Sequence, residues 1–94
     1  MSKPFYTRAA KQDLMDILLY ITQDKPDAAL AWLEKIETKC VLIAATPEIG
    51  ESKPQLGVGV RASVVGRYVI FHRSANGRVE IIRVIPGDRN ITDL

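Results

Sequence analysis

The sequence predicts an α+β domain of order β-α-α-β-β-β, with a helical hairpin packed on one face of an antiparallel sheet. Three observations carry this. Apolar residues recur at spacings of three and four from Ala10 to Ile43. A loop rich in glycine and proline, Pro47 to Gly59, then changes the period. Beyond it, three β-type segments are separated by the turn signals Gly66-Arg67 and Asn76-Gly77.

The opening stretch, Lys3 to Thr7, holds Phe5 and Tyr6 and suits a strand. Ala10, Leu14, Ile17, Leu18 and Ile21 form the apolar stripe of a first helix, with Lys11, Gln12, Asp13 and Asp16 off the stripe. Lys25-Pro26 ends it, since proline disfavours the α conformation in the residue before it. Pro26 also suits the first turn of a second helix. That helix buries Ala29, Trp32 or Leu33, Ile36, Cys40 and Ile43, and closes at Thr46-Pro47. The short connection sets the two helices side by side and antiparallel.

Ninety-four residues make one domain with a single modest core, and 1–94 is read as one unit. A net charge of +2 is too mild for a general nucleic-acid coat. The lone Cys40 excludes an internal disulfide and reads as a small buried hydrophobe. The longest apolar run, Val41 to Ala45, is far short of the roughly 20 residues of a membrane span. No apolar leader follows Met1, so a cytoplasmic location is expected.

Two-residue turns at both hairpins set a register. Ala62, Phe71 and Ile82 then line up across three strands, as do Val64, Val69 and Val84. This wholly apolar face is expected beneath the helices. The opposite face collects Arg61, His72 and Ile81, then Ser63, Ile70 and Arg83, then Val65, Tyr68 and Ile85. A mixed apolar and cationic face suits coverage by a partner; the alternatives are a solvated surface or a catalytic one. A one-residue bulge would regroup these rows. Arg73 falls opposite Glu80, in reach of a cross-strand ion pair.

Several segments together resemble the ParE branch of the RelE/ParE toxin superfamily. Residues 9–21, "AAKQDLMDILLYI", are similar to that family's first helix, and "DAALAWLEKIE" to its second, followed by "TPEIG". "GVRASVVGRYVIFHR" is similar to its arginine-led strand and Gly-Arg-Tyr hairpin, and "VEIIRVIPGDRN" to its closing strand. The resemblance spans nearly the whole chain. It departs at His72, where the family often has tyrosine, and at Pro86, where it usually has histidine; "GDRN" also replaces a more usual Gly-Ala-Arg-Asp.

The resemblance implies the RelE/ParE toxin fold and a type II toxin neutralised by a cognate ParD-like antitoxin in a hetero-oligomer. The ParE branch implies poisoning of DNA gyrase, with no cofactor, no metal and no catalysis by the toxin. The RelE branch implies ribosome-dependent mRNA cleavage, and a toxin of decayed activity is a third possibility.

Cleavage of RNA needs a base for the ribose 2′-hydroxyl, an acid for the leaving oxygen and cations for the phosphorane. Arg61, His72 and Arg83 would be the catalytic set, yet no carboxylate stands near His72 in the expected register, and no lysine follows Lys53. The inhibitor reading is therefore preferred. An acidic, amphipathic antitoxin segment is expected over Leu14, Leu18, Arg61, Ile70, His72, Ile81 and Arg83. Gyrase contacts are expected at Arg83, Asp88 and Arg89, in the C-terminal loop.

Overall fold

A computed structural model describes residues 3–89 and 94. Strand β1 (Phe5–Tyr6) leads into helix α1 (Arg8–Asp24), and α2 (Pro26–Ala45) follows after a single residue, Lys25. Then come β2 (Glu51–Ser52), a 3-10 turn at Pro54–Leu56, and strands β3 (Arg61–Val65), β4 (Tyr68–Ala75) and β5 (Arg78–Pro86). The five strands form one sheet in the order β1-β5-β4-β3-β2.

The helices and hairpins stand where periodicity and turn chemistry place them. Thr7 caps α1 by accepting the Ala10 N–H at 3.1 Å. Pro26 opens α2, where its missing N–H costs no helical bond. At the β4–β5 turn, Asn76 and Gly77 have φ of 54° and 73°, the pair of positive values that a type I′ turn requires.

The sheet differs from expectation in two respects. It is mixed, because β1 runs parallel to β5, pairing Phe5 with Glu80 and Tyr6 with Ile81. The glycine-rich loop also contributes an edge strand, with β2 pairing Glu51 to Ala62 and Ser52 to Arg61. Gly50 permits that approach. A Cβ there would lie 2.6 Å from the Ala62 carbonyl oxygen, and its φ of 95° disfavours side chains.

The β3–β4 register is the expected one, from Arg61 opposite His72 to Val65 opposite Tyr68. The β4–β5 register holds as far as His72 opposite Ile81 and then slips. Ile82 is bulged out, so Phe71 pairs with Arg83, Ile70 with Val84 and Val69 with Ile85. The expected rows that set Ile82, Arg83, Val84 and Ile85 opposite Phe71, Ile70, Val69 and Tyr68 are thereby corrected by one residue.

The larger correction concerns which face the helices cover. Ala10 and Ile17 of α1, and Ile36, Cys40 and Ile43 of α2, pack on Ile70, Val79, Ile81 and Val84. Tyr68 joins this layer through Trp32, with ring centroids 5.2 Å apart in an edge-on arrangement. The covered face is the one carrying His72, whereas Ala62, Phe71, Val69 and Ile85 belong to a second cluster on the other face. Both faces are apolar enough to be covered, so strand alternation alone does not choose between them.

Candidate functional site

Burial redistributes the residues expected to bind the antitoxin. Ile70, His72 and Ile81 are 0% exposed. They are therefore core residues and do not form an open face. Leu14 and Leu18 remain half-buried on α1. Arg61, half-buried, donates from Nη1 to the Gly50 carbonyl at 3.0 Å and thus ties β3 to the loop before β2.

Arg83 is also committed elsewhere. Its Nε donates to Asp13 Oδ2 at 2.7 Å and its Nη2 to Asp13 Oδ1 at 2.9 Å. This two-pronged geometry is the strong form of an arginine–carboxylate pair, and it raises the guanidinium pKa still further. Arg83 joins β5 to α1 and does not stand beside Arg61 and His72.

The set Arg61, His72 and Arg83 consequently makes no catalytic constellation. His72 is sealed beneath the helices, and burial pushes its pKa below the usual value, helped by Arg61 and Lys39. The Ile49 backbone lies close enough to oppose this, yet neither ring nitrogen has a hydrogen bond of proper geometry. An imidazole without solvent access cannot reach a ribose hydroxyl. Asp88 and Arg89, by contrast, are exposed just beyond β5.

What remains open is a groove on the sheet face away from the helices. Its floor is Ala62, Val64, Val69, Phe71 and Ile85. Lys53 and Leu56 wall one side, and Pro86, Gly87 and Arg89 the other. Val64 is 68% exposed, an unusual state for a valine within a strand. Lys53 pairs with Glu51 at 3.3 Å on the rim. On the same face Arg73 meets Glu80 at 3.2 Å, the ion pair expected from the sequence. Sequence reasoning passed over the groove because these valines were assigned to the core; Val64, the exposed one, faces away from Val65, which packs under the helices.

The ParE toxin model, that of the toxin of the type II toxin–antitoxin system parDE, matches residues 5–91. The chain belongs to the ParE toxin family. It is accordingly a toxin component of a type II toxin–antitoxin system, and the family implies an antitoxin partner. Toxin ParE1 of Caulobacter vibrioides is 34% identical over 90 residues, covering 94% of this chain and 93% of that protein. In fold, this ParE-family chain is similar to a chain of the chromosomal ParDE system of P. aeruginosa. The TM-score is 0.77 at 21% identity, over 92% of this chain and 96% of the other. Among the described residues no helix is long and apolar enough to cross a membrane.

Proposed function

We propose that this ParE-family chain acts by inhibiting DNA gyrase, and that its antitoxin silences it by laying an apolar segment in the open-face groove. The observation that carries the inhibitor reading is the burial of His72. It removes from solvent the one imidazole that RNA cleavage would have used. The groove supports the docking reading through its apolar floor and exposed Val64. With Ile70, His72, Ile81 and Arg83 committed inside the fold, Val64 and Val69 take their place as antitoxin contacts. Leu14 and Leu18 keep their assignment on α1.

For gyrase, Asp88 and Arg89 are the contacts of choice, being exposed at the end of β5. Arg83 drops out of that set because Asp13 occupies it. A gyrase-directed toxin paired with an antitoxin would serve plasmid or chromosomal stabilisation in the cytoplasm.

A paired assay tests the proposal. The purified toxin should inhibit gyrase supercoiling and leave mRNA intact in primer extension with ribosomes. Cleaved mRNA with unimpaired supercoiling would sink the inhibitor reading.

A further inference from the structure

One edge of the sheet is only partly covered. Strand β2 pairs with Arg61 and Ala62, while β3 runs on to Val65. The Val60 carbonyl accepts the Lys53 N–H at 2.8 Å. The Ala62 carbonyl also faces β2, its oxygen 2.6 Å from where a Cβ on Gly50 would stand. Backbone groups alternate along a strand, so Val64 directs its N–H and C=O to this same side, past the end of β2. An open edge of this kind is a template for a further strand.

A second groove runs between that edge and α2. Val64 and Val65 line one wall; Ala31, Glu34, Lys35, Thr38, Lys39 and Leu42 line the other. The six α2 positions lie three and four apart along one stripe, and they are symmetric about the midpoint between Ile36 and Glu37. Reversing the helix about that point exchanges Ala31 with Leu42, Glu34 with Lys39 and Lys35 with Thr38. Among the described residues neither Glu34 nor Lys39 takes part in an ion pair.

We propose that this edge is a homodimer interface, in which a second copy of the chain, related by a two-fold axis beside Val64, extends the sheet. Val64 and its counterpart exchange two backbone hydrogen bonds as an antiparallel pair. The two α2 helices run antiparallel over the joint, and symmetry sets each Glu34 against Lys39 of the partner subunit. Val64 and Leu42, 68% and 46% exposed in the single chain, are withdrawn from water. The charges select a second copy as the occupant, because a stripe with acid and base at mirrored positions is complementary to itself. The interface shares Val64 with the open-face groove, but its own existence is independent of what that groove binds.

Sedimentation equilibrium of the purified full chain tests the proposal. The unsubstituted chain should dimerise, and Glu34→Lys and Lys39→Glu should each weaken the dimer at least about tenfold. An equimolar mixture of the two single variants should recover it, because one chain then carries two lysines and the other two carboxylates at the paired positions. Amide exchange at Val64 should slow as the protein concentration rises. A chain that stays monomeric up to about 1 mM, a dimer indifferent to both charge reversals, a mixture that does not recover, or Val64 exchange independent of concentration would each overturn the proposal. A monomeric chain whose affinity for the cognate antitoxin falls in Lys39→Glu would give the edge to the antitoxin instead.

Discussion

Asp13 and Arg83 form a two-pronged ion pair that also supplies a missing strand neighbour. Besides the two bonds from Arg83, Asp13 Oδ2 accepts the Val84 N–H at 3.0 Å. Thr7 works alongside it, donating its N–H to the Ile81 carbonyl at 3.1 Å and its hydroxyl to the Ile82 carbonyl at 2.8 Å. Strand β1 pairs with β5 only as far as Ile81. Thr7 and the first turns of α1 then take over its hydrogen-bonding role along the bulged stretch.

Removing Asp13 should therefore cost more than an ordinary surface ion pair. The side chains of Arg83 and Asp13 are only 21% and 11% exposed, so neither partner is well solvated. Asp13→Ala leaves Arg83 and the Val84 N–H without their acceptor, and a loss of about 2–3 kcal/mol in urea unfolding is expected. A loss within the range of an exposed pair, below about 1 kcal/mol, would show that water replaces the carboxylate.

His72 should make the protein acid-sensitive. Its folded pKa is depressed by burial and by Arg61 and Lys39, while the unfolded chain titrates near 6.5. Above that value both states hold a neutral ring and stability is flat. Below it the unfolded state gains the proton first, so stability falls as pH drops from about 6.5 toward the folded pKa, by up to about 1.4 kcal/mol per unit. Urea midpoints at pH 7.5 and 5.5 should converge in His72→Phe; an equally acid-sensitive variant would place the effect elsewhere.

Gly50 is expected to tolerate no side chain. An added Cβ would meet Ala62 O at 2.6 Å and Ser63 Oγ at 2.8 Å, on backbone with positive φ. Gly50→Ala should cost about 2 kcal/mol, read as a lowered thermal midpoint. By contrast Gly59→Ala, with nothing within 4 Å but also a positive φ, should cost less. The reverse order would mean that the β2 edge moves aside freely.

Val64→Asp separates folding from docking. The position is exposed, so unfolding free energy should change by less than about 0.5 kcal/mol. Affinity for the cognate antitoxin, measured by calorimetry, should drop roughly tenfold or more, since a carboxylate would be buried in an apolar groove. Unaltered affinity would move the antitoxin off this face.

Much of the architecture was legible because it is local. Helix limits follow from apolar spacing and from Pro26, and the hairpins follow from Gly66-Arg67 and Asn76-Gly77. The Arg73–Glu80 pair was legible for the same reason, lying within the first few residues of a tight turn. The candidate site was not. His72 with two arginines suggested an open surface, yet the helices cover that face, and Arg61 is held at Gly50 and Arg83 at Asp13.

By itself, then, the sequence determined the order of the two helices and of four of the five strands, the turns, the β3–β4 register and the family resemblance, all of which depend on neighbours along the chain. Only the tertiary structure decided which sheet face the helices cover, where β5 slips and which valines meet solvent. Two apolar faces compete for one helical hairpin, and the choice belongs to Ile36, Cys40 and Ile43 packing on Ile70 and Ile81. The bulge is likewise held by Thr7 and Asp13, distant in sequence from Ile82 and Val84 and brought to them by folding.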